Sequence, residues 1–247
     1  VLELVEGEDI PELPPFDDVP LAEGEIIAGN EDAGFYGEVK SENFFDGKQL
    51  SDIFNITEGE LANVDTSWLK FSYKGKTQLI PKLPIRRHMS WTHLEERNLI
   101  NGDTVIHHQP SGLNFKVRLI KSLPDGVQGE ERVFDPKGSE WNKLLYPIHV
   151  NASTGDWAYP ENVEEDVENW GVNYTNDDFG MDGAVQNGST WCQEENFPNS
   201  PFRISRGYYG VSDGSITSAT EQSRVWRPVL ELTTEESNTM HGTQERG

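Results

Sequence analysis

The chain has 247 residues, with 43 Asp and Glu against 20 Lys and Arg, a formal net charge of −23. Such a field repels phosphate, which excludes nucleic acid and anionic membrane as expected partners. Hydrophobic residues make up only 34%, yet there are 7 Trp, 7 Tyr and 11 Phe, so the expectation is a loop-rich, soluble fold with a compact aromatic core. No apolar run approaches the length of a membrane span. The acidity reads either as a means of solubility or as a device for binding divalent cations.

Cys192 is the single cysteine, which excludes an intramolecular disulfide and a thiolate metal cluster. Beside Trp191 it reads as a small core hydrophobe. The sequence opens on Val1 without a leader pattern. Val1-Leu2-Glu3-Leu4 is echoed by Val229-Leu230-Glu231-Leu232. Together these give the expectation of a processed or partial product, one unit of a longer tandem protein.

Residues 1–34 are rich in Pro, Glu and Asp, and Pro11, Pro14, Pro15 and Pro20 forbid a continuous helix or a central strand. This stretch reads as an acidic extended arm lying along a partner, or as a solvated linker. Residues 35–83 read as a small α+β subdomain. Phe35 to Val39 is a short strand, and Asp46 or Gly47 opens a helix with Leu50, Ile53 and Phe54 on one face. Trp68 to Tyr73 and Thr77 to Ile80 flank a Lys74-Gly75-Lys76 turn as a hairpin.

From Pro84 a larger domain is expected, to residue 233. Ser90 caps a helix with acidic residues early. Thr104 to His108 and Leu113 to Ile120 form a second hairpin. Ser139 caps a helix from Glu140 to Tyr146 that buries Trp141, Leu144 and Leu145, with Glu140 as a partner of the helix dipole. Asn151 to Asn176 is a long polar loop. Phe202 to Leu232 then forms two strands around a polar excursion between Gly210 and Arg224, and residues 234–247 are a polar tail. Loops displayed on rigid strands are where binding usually lives. The candidate ligand-binding residues are therefore Tyr208, Tyr209, Ser212, Asp213, Ser215, Thr217, Arg224 and Trp226.

The order of landmarks resembles the C-type-lectin-like fold of the formylglycine-generating-enzyme (sulfatase-modifying) type. The matching stretches are Ser90-Trp91, Gly138-Ser139-Glu140-Trp141, Asp178-Phe179-Gly180-Met181-Asp182-Gly183, Trp191-Cys192-Gln193-Glu194, Arg206-Gly207-Tyr208-Tyr209-Gly210 and Trp226-Arg227-Pro228-Val229-Leu230. The resemblance implies short twisted antiparallel strands, two main helices and long loops. Several of these runs, with Trp68-Leu69-Lys70-Phe71, also resemble structural proteins of tailed bacteriophages over residues 35–232. That likeness implies a virion component on the particle surface. Its roles would be tail-fibre or receptor-binding display toward a host glycan or protein, or purely structural capsid decoration. The arm would contact other virion proteins. A homo-oligomer fits a fibre, though no heptad pattern supports one.

Enzyme readings rank below these. The copper-binding cysteine pair of formylglycine-generating enzymes is absent, and His88, His93, His107 and His108 do not match the His motif of the related sulfoxide synthases. A polysaccharide-modifying enzyme is the third reading. Asp177, Asp178, Asp182 and Asn187 crowd a Gly-rich loop. Ca²⁺ is the cation that such oxygens take, and ordinary turn chemistry explains the same residues.

Overall fold

The computed structural model describes residues 19–21, 24–127, 136–150, 167–181, 183 and 188–233. Strands β1 (Ala28–Gly29), β2 (Ala33–Val39), β3 (Glu60–Leu61), β4 (Trp68–Tyr73), β5 (Lys76–Pro81) and β6 (Arg86–Met89) come first, with helix α1 (Gly47–Ile53) after β2. Helix α2 (Trp91–Glu95) leads to the hairpin of β7 (Asn101–His108) and β8 (Leu113–Arg118). Helices α3 (Glu140–Leu144) and α4 (Asn176–Phe179) precede β9 (Thr190–Glu195), β10 (Phe202–Arg206), β11 (Gly214–Ser218), β12 (Arg224–Trp226) and β13 (Val229–Leu232). The class is α+β, with mostly antiparallel strands and short helices.

The strands build two sheets. A seven-stranded sheet has the order β1-β2-β4-β5-β13-β8-β7, and a six-stranded sheet has the order β11-β10-β9-β12-β6-β3. The last strand, β13, sits between β5 and β8, with Leu230 opposite both Leu79 and Val117. The seven-stranded sheet therefore joins strands from both sides of the expected division at residue 83.

Local chemistry explains the helix starts. Asp46 and Gln49 form a reciprocal capping box at α1, with Gln49 N donating to Asp46 Oδ1 at 2.7 Å and Asp46 N to Gln49 Oε1 at 3.0 Å. Ser90 Oγ accepts from His93 N at 3.2 Å, and Ser139 Oγ accepts from Asn142 N at 3.2 Å. The acidic residues expected early in α2 instead fall at its end, because the helix stops at Glu95.

Two apolar clusters lie on the two faces of the seven-stranded sheet, as strand alternation requires. One joins Trp68, Leu79, Phe115, Val117 and Leu230 to Met89, Trp91, Trp191 and Trp226. The other joins Phe35, Leu69, Phe71, Ile80 and Val229 to Trp141, Leu144, Leu145, Cys192 and Ile204. Four of the buried indoles also hold backbone carbonyls. Trp68 Nε1 donates to Phe45 O at 2.7 Å, Trp91 Nε1 to Cys192 O at 3.0 Å, Trp141 Nε1 to Val211 O at 2.7 Å and Trp191 Nε1 to Met89 O at 2.8 Å. Each ring thus fills volume and also ties a loop or strand end to the core.

Glu140 does more than complement a helix dipole. Its carboxylate accepts from Arg118 Nη2 at 2.6 Å and Nη1 at 2.7 Å, and from Lys121 N at 2.9 Å. Arg118 Nε also reaches Glu231 at 3.3 Å. This buried network clamps α3 to β8 and β13. Burial alone would lower the Arg118 pKa, and the facing Glu140 and Glu231 carboxylates outweigh it and raise the value. Removing one partner strands a charge in the interior. Glu140→Gln is expected to cost about 3–5 kcal/mol, read as a shift in the urea midpoint. The double replacement of Arg118 and Glu140 by Met is expected to recover much of that loss.

Candidate functional site

The excursion between Gly210 and Arg224 was expected as a displayed loop. Its centre is instead the strand β11, paired antiparallel with β10 from Phe202↔Ser218 to Arg206↔Gly214. With only Ile216 apolar in Gly-Ser-Ile-Thr-Ser, the hydrophobic pattern is too sparse to mark a strand, and backbone pairing supplies the order. β11 is the outer edge of the six-stranded sheet. Alternation places Ser215 and Thr217 on one face and Ile216 on the other.

Before β11 the chain makes a tight knot. Asp213 is buried, and its carboxylate accepts from Tyr208 N at 3.0 Å and Tyr209 N at 3.2 Å. Arg206 Nε donates to Asp213 O at 2.9 Å, and Gly207 N donates to the same oxygen at 3.1 Å. Gly207 has φ +80°, and a Cβ there would meet the Trp141 ring at 3.0 Å. Only glycine fits that combination. The knot projects Tyr208 and Tyr209, whose rings meet edge to face with centroids 4.4 Å apart. Tyr209 is 57% exposed.

Arg224 faces this knot from the start of β12. Its Nε donates to Ser205 Oγ at 3.1 Å and its Nη1 to Ser223 Oγ at 2.7 Å, while Nη2 contacts Thr217 Oγ1 and lies 3.5 Å from Ser215 Oγ. The guanidinium is half-buried among hydroxyls and pairs with no carboxylate among the described residues. Burial lowers its pKa, opposed by the more distant Glu221 and Asp213. Tyr208, Tyr209, Asp213, Ser215, Ser223 and Arg224 line an open pocket of about 310 Å³. The pocket offers an aromatic ring, hydroxyls and a cation in direct ion-pair contact with no carboxylate among the described residues.

Of the eight expected ligand-binding residues, Tyr208, Tyr209, Asp213, Ser215 and Arg224 wall this pocket. Thr217 stands behind Arg224 and orients it. Ser212 and Trp226 are corrected: both are fully buried. Trp226 packs edge to face on Phe54 with centroids 6.2 Å apart. Its place in β12 turns the ring into the core, out of reach of a ligand.

The candidate cation site divides. Asp182 and Asn187 lie outside the described residues. Asp177 and Asp178 are in α4, where Asp178 accepts from Thr175 N at 2.8 Å and completes a capping box. Asp178 also lies 3.8 Å from Lys82 Nζ. Among the described residues no group of three His, Cys, Asp or Glu side chains converges. His107 and His108 bond to Asn114 and Ser111, each at 2.8 Å.

Comparison with protein-family models, with characterised proteins and with solved structures finds no match to this chain.

Two features escaped the sequence reading. Cation-bearing side chains gather on the open part of the seven-stranded sheet, and Glu194 turns inward. The Glu194 carboxylate accepts from Ser122 N at 2.9 Å and Leu123 N at 3.2 Å, and burial pushes its pKa up to about 7 against those hydrogen bonds. A carboxyl raised in the folded state stabilises most below its unfolded pKa, and that contribution is lost as pH rises through about 7. The melting temperature of the wild type is therefore expected to fall between pH 5 and 8 relative to that of Glu194→Gln. Parallel curves for the two proteins would contradict this.

Proposed function

We propose that the chain is a non-enzymatic structural or adhesive virion protein of a tailed phage, with a C-type-lectin-like domain that presents the Tyr209–Arg224 pocket to a host-surface glycan or protein. The observation that carries the reading is the Arg224 guanidinium, held by serine and threonine hydroxyls rather than by a carboxylate, beside the exposed Tyr209 ring. Aromatic rings with serine hydroxyls and an arginine supply stacking area and adaptable hydrogen bonding, the usual chemistry of recognition surfaces. The edge position of β11 supports display, since among the described residues no strand pairs with that flank of the sheet.

The lectin-like assignment rests on the order of landmarks. The Ser139-capped helix, the Trp191 strand, the Arg206-Gly207 turn and the closing Trp226 strand follow one another as the resemblance implies. The virion assignment rests on the likeness of those same runs to phage structural proteins. Calcium is not needed by this reading, because Asp178 is engaged by Thr175 and neighboured by Lys82.

Purified wild-type protein is expected to bind host cells and to block phage adsorption. Arg224→Ala and Tyr209→Ala are each expected to weaken binding about tenfold or more. Failure of the wild type to bind, with lattice occupancy on phage heads seen by electron microscopy, would favour a capsid decoration role instead.

A further inference from the structure

The face of the seven-stranded sheet that packs on α3 changes character along its width. Beneath the helix it is apolar, with Phe35, Leu69, Phe71, Ile80 and Val229 in the core. Beyond it, the same face carries Lys76 and Gln78 from β5, Glu231 from β13, and Lys116 and Arg118 from β8. Register places Gln78, Glu231 and Lys116 side by side. Among the described residues no element covers this part of the sheet, and it forms a cavity of about 490 Å³.

Five of the chain's 20 Lys and Arg line that cavity: Lys74, Lys76, Lys116, Arg118 and Lys121. Three carboxylates answer them. Asp125 holds Lys121 at 2.7 Å and also Lys74, Glu231 holds Lys76 at 2.7 Å, and Glu140 holds Arg118 at 2.6 Å. Lys116 is exposed and has no carboxylate partner among the described residues. In a chain of net charge −23, this is a local inversion of sign. Over more than about 10 Å at 0.1 M salt the acidic remainder is screened, so the local cations set what binds.

A second observation points to a ligand. Gln78 is 1% exposed and lines the cavity, and its Oε1 has no hydrogen-bond partner among the described residues. A buried amide oxygen left unpaired is costly, and an incoming hydroxyl would satisfy it. Two more carboxamides, Asn101 and Gln193, stand at the rim. Gln193 donates its Nε2 to Ile100 O at 2.9 Å, which leaves its oxygen as an acceptor. Asn101 and Gln193 also wall a neighbouring pocket of about 420 Å³ that adds the apolar surfaces of Leu123, Val127, Phe197 and Pro198, with Glu194 and Glu195 on its wall.

We propose that the cation-lined cavity takes the end residue of an acidic oligosaccharide of the uronic-acid class, and that the neighbouring pocket takes the next ring. The Lys116 ammonium would meet a sugar carboxylate. The amides of Gln78, Asn101 and Gln193 would meet ring hydroxyls, and Phe197 and Pro198 would cover the apolar face of the next ring, whose carboxylate would turn to solvent, away from Glu194 and Glu195. Each cavity lies within the size range of small-molecule sites. These two pockets are walled by different residues from the Tyr209–Arg224 pocket, and the proposal stands without it.

The test is titration calorimetry and NMR shift mapping on the full chain, with tri-galacturonate as the probe. Its methyl ester, inorganic sulfate and tri-glutamate serve as comparators. Tri-galacturonate is expected to bind and to shift the amides of Gln78, Asn101 and Gln193. The ester should bind about tenfold more weakly or worse. Lys116→Ala, at an exposed position, should also lose about tenfold, and Gln78→Leu a comparable factor, while Tyr209→Ala leaves binding unchanged. Absence of binding by the wild type would overturn the proposal. So would binding indifferent to Lys116→Ala, or sulfate or tri-glutamate binding as tightly as the saccharide.

Discussion

The Arg118–Glu140 pair is the constraint on which the arrangement of layers depends. Arg118 ends β8, Glu140 begins α3, and Glu231 lies on β13, the last strand to join the sheet. One guanidinium therefore registers three segments that are far apart in sequence. Two opposite charges brought out of water are tolerated only when their geometry is good and their remaining hydrogen bonds are made. Lys121 N meets that requirement for the carboxylate, and Trp141 N returns the favour by donating to Lys121 O at 3.0 Å. Once α3 is fixed in this way, Trp141 lies where Val211 O, Gly207 and Arg206 must pack around it.

That packing is what positions the Tyr208–Tyr209 knot. Gly207 combines a positive φ with a close approach to the Trp141 ring, where a Cβ would sit 3.0 Å from ring carbons, and Arg206 lies over the same ring with its guanidinium carbon 5.4 Å from the centroid. Arg206 is fully buried, and desolvation lowers its pKa to about 10. Its donors end on the carbonyls of Val211 and Asp213 and on Asn142 Oδ1 at 3.0 Å. The recognition surface proposed around Tyr209 is thus a rigid turn supported from below, while Arg224 is held from the side by hydroxyls of β10 and β11. Preorganisation of this kind lowers the ordering cost of binding.

Much of the element order was legible in the chain. The Asp46, Ser90 and Ser139 caps, the Lys74-Gly75 turn and the alternation in Trp68 to Tyr73 are local signals, and each carries its own stereochemical reason. Short polar strands were not legible. Gly214–Ser218 has a single apolar residue, so it becomes a strand only because β10 offers a free edge. Trp226 and Ser212 were misplaced for a related reason. Sequence places a residue near a loop, but which way its side chain turns depends on the register of β12 and on the knot at Asp213. Gln78 and Lys116 were missed because they are 38 positions apart in sequence and meet only across β13.

The sequence by itself determined the acidic, aromatic-rich character of the protein, its single thiol, the starts of the three helices at Asp46, Ser90 and Ser139, and the Lys74-Gly75 hairpin turn. These depend on neighbours within a few residues, or on counting. The tertiary structure decided that β13 closes a sheet between β5 and β8, that Arg118 and Glu140 pair in the interior, and that five cationic side chains gather around one cavity of an acidic chain. Each of these joins groups distant along the chain, and their energies exist only once burial has removed the water that would otherwise screen them.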